Sequence, residues 1–244
     1  MLTIEGAGVE LACEAVGEGP ALLLVHGIAS DSTALAPLAG RLADVARCIT
    51  YDRRGYGASG APEPYERTTV AEQAEDAARI LSAMAGDSPA IVVGDGFGAL
   101  VALDLLLRHG DGVRAAVLSD PPLFAFVAQA TEELGAQREI LQEQLRTAGP
   151  EAAVEAWLGG RLEAAALARA RAAHRAFFAD FGGLASWPVT RRELRSIQQP
   201  TVVLTGPWSP TSIGAAADTL DELLPAAERR RDGDLEAAAR VLLA

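Results

Sequence analysis

The stretch from Ala90 to Gly110, AIVVGDGFGALVALDLLLRHG, holds the fold in miniature. Its opening, AIVVGDG (90 to 96), is a short apolar run rich in β-branched residues and closed by glycine, the pattern of a buried strand. Its continuation, FGALVALDLLLRH, is apolar nearly all round, has helical length and stops at Gly110, a residue type that terminates helices. A buried strand that passes through a glycine turn into a buried helix is one unit of an α/β sheet covered on both faces.

The same pattern recurs on either side. ALLLVHG (21 to 27), RCITYDRRG (47 to 55), RAAVLSD (114 to 120) and TVVLTG (201 to 206) are strand-length apolar runs closed by glycine or an acidic turn, with helix-period segments between them. Their alternation predicts a mainly parallel sheet. Ahead of them LTIEGAG and VELACEAVG alternate as two antiparallel strands around a glycine-containing turn. From about Leu123 to Leu194 no strand pattern occurs; Ala, Leu, Glu, Gln and Arg dominate, all good helix formers. This predicts a helical insertion over residues 123–194 between core segments 1–122 and 195–244. Five of the six phenylalanines (Phe124, Phe126, Phe177, Phe178, Phe181) and two of the three tryptophans (Trp157, Trp187) fall in it. Such aromatics serve either as the lining of a lid over an apolar pocket or as the packing between lid and sheet.

Composition narrows the function classes. A chain of 244 residues, 50% hydrophobic, can bury a substantial core. A net charge of -12, with no basic run beyond Arg229 to Arg231, argues against attraction to nucleic acid or an anionic membrane. The N-terminal residues lack a basic start followed by a long apolar run, so a cytoplasmic location is expected. Cys13 and Cys48 are the only cysteines and are expected as buried free thiols. There is no lysine, which removes Schiff-base chemistry, and no asparagine; both absences fit a GC-biased genome. No phosphate-cradling, dinucleotide-binding or metal-ligand spacing occurs, so the expected chemistry uses no cofactor and no metal.

The segments LLLVHGIAS (22 to 30), ITYDRRGYGAS (49 to 59), IVVGDGFGALVAL (91 to 103) and AAVLSDPP (115 to 122), in this order and spacing, resemble the α/β-hydrolase superfamily across nearly the whole chain. The resemblance implies a mostly parallel eight-stranded sheet flanked by helices, with a helical lid. It also implies a G-x-nucleophile-x-G elbow at Gly94 to Gly98. There the chain departs from the pattern in three ways. Gly96 occupies the nucleophile position. Ser209, in the run Gly206-Pro207-Trp208-Ser209-Pro210, stands where a carboxylate is expected. Near the C-terminus no histidine follows the last strand, and Asp234 falls closest to that place. A register shift would make Asp95 the nucleophile, but it would put Val93 and Phe97 at positions that need small residues.

What the resemblance leaves in place is an anion site. The N–H groups of Phe97, opening a helix, and of Ile28, just after His26 and Gly27, are the family's usual oxyanion donors. Gly96, Trp208 and Ser209 complete the expected substrate-binding set with His26, Gly27, Ile28 and Phe97. Proton transfer is expected from Asp234, Asp120 or Asp95, each of which also fits a helix cap or turn role. His26 fits the HG turn as a structural residue, His109 a helix C-terminal cap, and Asp52 with Arg53 a structural turn. Three readings follow: a cofactor-independent lyase, isomerase or cyclase on a small apolar carbonyl compound; a ligand-binding protein that has lost its chemistry; and a hydrolase with relocated groups. The first resembles divergent hydrolase-fold enzymes of bacterial secondary metabolism, an analogy of fold alone.

Overall fold

The computed structural model describes residues 1–160, 162–184 and 186–244, with the side chains of residues 128, 129 and 131 outside that description. Two antiparallel strands, β1 (Leu2–Glu5) and β2 (Glu10–Val16), open the chain, as their alternation predicts. Then come β3 (Ala21–Val25), helix α1 (Ala36–Leu42), β4 (Arg47–Tyr51), α2 (Val70–Met84), β5 (Ala90–Asp95), α3 (Phe97–Arg108) and β6 (Val113–Ser119). Among the described residues, the helices between β6 and β7 are α4 (Ala128–Ala148), α5 (Pro150–Leu158), α6 (Ala164–Ala172), α7 (His174–Leu184) and α8 (Arg191–Leu194). The chain ends with β7 (Thr201–Leu204), α9 (Thr211–Leu223), β8 (Ala227–Arg230) and α10 (Leu235–Leu243).

The strands form one eight-stranded sheet in the order β1-β2-β4-β3-β5-β6-β7-β8, antiparallel from β1 to β4 and parallel from there on. Strand periodicity divides the core in two. Leu22, Leu24, Ile91, Val93, Val117 and Leu204 face α1 and α10. Their alternates Leu23, Val25, Val92, Leu118 and Val203 face α2, α3 and α9. β3 and β5 are buried on both faces, which is why they read as continuous apolar runs without alternation. Cys13 and Cys48 are buried free thiols, and burial pushes them up to about 12 and about 11 respectively.

Two glycines allow α3 to meet the sheet. A Cβ on Gly94 would run into the Gly98 carbonyl, and one on Gly98 into the Val25 carbonyl at the end of β3. Backbone therefore lies against backbone where strand becomes helix. Helix α3 ends at Arg108, and the His109 N–H donates to Leu105 O. His109 is the C-cap of α3, as expected, and its ring reaches across to Glu75 Oε1 of α2 at 2.8 Å, because α2 packs beside α3. Among the described helices, none is long and apolar enough to cross a membrane.

Candidate active site

Strand order locates the site before any side chain does. The chain leaves β3 for β4 on one side and returns to β5 on the other, so the loops after β3 and β5 diverge and open a crevice at the carboxyl ends of the strands. A cavity of about 370 Å3 lies there. Gly27 and Ile28 after β3, Asp95, Gly96 and Phe97 at the end of β5, and Asp120 after β6 line one side. Glu133, Gln137 and Ile140 of α4 line another, at a spacing that puts all three on one helix face. Trp157 of α5 adds to the wall, and its indole N–H donates to Gln137 Oε1 at 3.3 Å.

Gly96 is the N-cap of α3, with φ +53° and ψ −118°. This is backbone that glycine enters without penalty and that an L side chain enters under strain. Its N–H donates to Ser119 O at 2.9 Å, which ties the turn to β6. Phe97 begins the helix, so its N–H has no intrahelical acceptor and carries the positive end of the helix dipole.

The second amide is oriented by a buried network. Arg53 is fully buried; its Nε donates to His26 O at 2.9 Å and its Nη2 to Gly27 O at 2.8 Å. The Gly27 carbonyl also pairs with His26 Nδ1 at 2.9 Å. In a planar trans peptide the N–H points opposite the C=O, so fixing the Gly27 carbonyl turns the Ile28 N–H away from the guanidinium. Arg53 in turn is held by Asp180 of α7 at 2.7 Å and by Gln73 of α2 at 2.6 Å. Tyr56 and Gln73 satisfy the same carboxylate. The full burial of Asp180 is thus compensated by one charge and two further hydrogen bonds.

The carboxylates divide by environment. Asp95 is partly buried at the end of β5 and accepts from Ser119 Oγ at 2.9 Å. Burial raises its carboxyl above the usual range, the hydrogen bond from Ser119 opposes that, and the nearby Asp120 charge adds to the rise. Asp95 pairs in register with Ser119 as a strand residue, so the turn tip belongs to Gly96 and not to a shifted register. Asp120 sits at φ +44° immediately after β6 and accepts from Ser209 Oγ at 2.5 Å. Ser209 Oγ also accepts from Gly206 N–H at 2.8 Å, so this serine bridges the loops after β6 and β7.

Four expected site residues stand away from the cavity lining. Asp234 is exposed and caps α10, accepting from Ala237 N–H at 2.9 Å; the start of a helix uses its carboxylate. Trp208 is 94% exposed on the outside of the loop after β7. Ser209 lies outside the lining and donates from its Oγ to Asp120, which is part of it. His26 is buried behind the HG turn, where its Nε2 accepts from Arg53 N–H at 2.9 Å, and burial with the Arg53 charge holds it neutral, well below the ordinary imidazole range. Gly27, Ile28, Asp95, Gly96, Phe97 and Asp120 do come together. Residues that sequence reasoning passed over are Ser119, the α4 face and Asp180. Only Asp180 left a signal, as a lone acid in the apolar helix HRAFFADFGGL.

The family model described as alpha/beta hydrolase fold matches residues 20–209. A 2-(acetamidomethylene)succinate hydrolase of Mesorhizobium japonicum is 34% identical over 148 residues, 59% of this chain and 50% of that protein. An uncharacterized hydrolase of Bacillus subtilis is 34% identical over 121 residues, 50% of this chain and 44% of that one. The chain spans about half the length of these curated relatives. Among solved structures, an alpha/beta hydrolase from Sphaerobacter thermophilus is 26% identical with a TM-score of 0.74, covering 99% of both chains. An esterase from Rhodococcus sp. is 26% identical with a TM-score of 0.75, covering 99% of this chain and 97% of its own. With a crevice at the β3/β5 switch point, an eight-stranded sheet and a family match over most of its length, this chain belongs to the alpha/beta hydrolase fold family.

Proposed function

We propose that the cavity binds a small uncharged carbonyl compound and that the protein transforms it by proton transfer, as a cofactor-independent lyase, isomerase or cyclase. The observation that carries this reading is the turn between β5 and α3. It keeps the glycines at 94 and 98 and the open amide of Phe97, yet residue 96 has no side chain with which to attack. A carbonyl oxygen seated on the Phe97 and Ile28 amides gains stabilisation as negative charge develops on it. Asp95, with its raised pKa and its place in the same lining, is the group best suited to take or return a proton. Asp120 is the alternative. The helices between β6 and β7 serve as the lid.

Charge supports an uncharged ligand. Asp95, Asp120 and Glu133 face the cavity, and no described lining residue is Arg, Lys or His. The buried Arg53 is committed to His26 O, Gly27 O, Gln73 and Asp180. A dicarboxylate such as the one named for the Mesorhizobium relative would meet no cationic side chain in the described lining and would face three acidic ones. A second reading, a hydrolase with a relocated carboxylate, is favoured by the hydrolase names of the relatives.

The test is deuterium exchange of the α-hydrogens of pentan-2-one in D2O, followed by NMR, beside hydrolysis of 4-nitrophenyl acetate. Exchange that the wild-type protein catalyses and Asp95→Asn loses, with no ester turnover, is the expected result. Ester turnover abolished by Asp95→Asn would transfer the assignment to the relocated hydrolase. Ketone binding with neither activity would make the protein a binder.

A further inference from the structure

Beside the cavity lies a second, larger hollow of about 790 Å3, between α4 and α7. Its walls are mainly apolar: Leu134, Leu141 and Leu145 from α4, Phe178 and Phe181 from α7, and Trp187 beyond. Phe124 and Leu184 line both this groove and the cavity over Gly96, so the two spaces share a wall made of two side chains. Helix α4 is built for both. Glu133, Gln137 and Ile140 turn to the cavity, while Leu134, Arg138, Leu141 and Leu145 form a stripe of helical spacing along the groove. Ile140 and Leu145 are 54% and 44% exposed, unusual for such residues on a helix of otherwise polar surface, and each faces one of the two hollows.

We propose that the groove is a subsite for the apolar tail of the ligand: the carbonyl head lies over Gly96, the chain passes between Phe124 and Leu184, and the remainder lies between α4 and α7. The ligand class is therefore an uncharged carbonyl compound with an extended hydrocarbon arm. Adjacency is the argument for this occupant. A groove that shares Phe124 and Leu184 with the head-group cavity comes within reach of a longer molecule once those two side chains part, and its mainly apolar lining favours each buried methylene. The inference rests on the carbonyl reading of the cavity.

Two glycines provide clean probes. Gly135 on α4 and Gly182 on α7 both line the groove, and a Cβ at either meets nothing within 4 Å. Gly135→Phe and Gly182→Phe therefore place a ring on the groove wall from positions where the first side-chain atom meets no neighbour. The experiment is an NMR titration of the homologous ketones from pentan-2-one to undecan-2-one into wild-type and both variants. In the wild type, affinity should rise by about fourfold per added methylene over several members of the series. In the phenylalanine variants the rise should stop early while pentan-2-one binds as before. Pentan-2-one binding with no dependence on chain length, or an identical rise in the variants, overturns the tail subsite and leaves the cavity reading intact. Failure of every ketone to bind overturns both.

Discussion

Three glycines in a row of alternate positions, 94, 96 and 98, should respond to alanine in opposite ways, and the difference is set by backbone geometry. At Gly96 the added Cβ meets only Gly27 Cα, at 3.6 Å, an ordinary contact. The cost there is the positive φ alone, about 1–3 kcal/mol. Part of it is offset by about 0.4–1 kcal/mol, because alanine has less freedom in the unfolded chain. A net loss of about 1–2 kcal/mol corresponds to a fall in melting temperature of about 2–8 °C for a domain of this size. At Gly94 and Gly98 the Cβ runs into carbonyl groups of α3 and β3, neither of which can yield without prising the helix from the sheet. Both substitutions should cost more than about 4 kcal/mol and abolish a cooperative melt. Circular-dichroism melts of the three variants decide the matter. A Gly96→Ala protein as damaged as Gly98→Ala, or one more stable than wild type, would refute the argument that position 96 is open in space and restricted only by its dihedral angles. Gly96→Ser should be equally well tolerated and gain no ester turnover, since no described cavity residue is a histidine and the His26 ring is tied to Arg53.

Asp180→Asn leaves the Arg53 guanidinium buried without its charge partner and should cost about 3–5 kcal/mol in urea denaturation, whereas Arg171→Ala, which breaks only exposed pairs with Glu151 and Glu155, should cost less than about 1 kcal/mol. Asp95 holds its proton to higher pH folded than unfolded, so its contribution to stability is full at low pH and is lost as pH rises through the raised folded value. The stability of Asp95→Asn relative to wild type should therefore increase as pH rises from below the ordinary carboxylate value, and a difference constant from there upward would contradict the raised carboxyl. His26 behaves in the opposite sense. Its folded pKa is depressed, so its contribution is present above the unfolded value of about 6.5 and is lost as pH falls below it. A stability decrement below that pH, absent in His26→Gln, is the expected observation.

The centre of the sheet was legible because β3 and β5 are buried on both faces. AIVVGDG and ALLLVHG cannot be anything but interior, and the glycines that follow them mark where helix or loop must approach backbone. The acidic candidates were harder to separate. Asp95, Asp120 and Asp234 look alike in sequence, each beside a glycine or a turn, because a helix cap, a turn residue and a desolvated acid use the same short carboxylate. Packing separates them: Asp234 faces solvent at the start of α10, while Asp95 and Asp120 face the cavity. The helices after β6 were recognisable from composition, yet the face that α4 presents was not, since its apolar and polar residues do not divide into one clear stripe.

Local residue chemistry was enough to specify β1 to β7, the α3 helix, the glycine turn and the absence of a side chain at position 96, since each depends on neighbours close in sequence; β8, the polar run AERR, carries no such local pattern. The cavity and the buried group that orients it came only from the folded chain. Arg53 and Asp180 lie 127 residues apart, and their pairing becomes favourable only when α7 excludes water from both. Long-range burial converts an ordinary turn arginine into the support of the Gly27–Ile28 peptide, and no local pattern encodes which distant carboxylate will complete it.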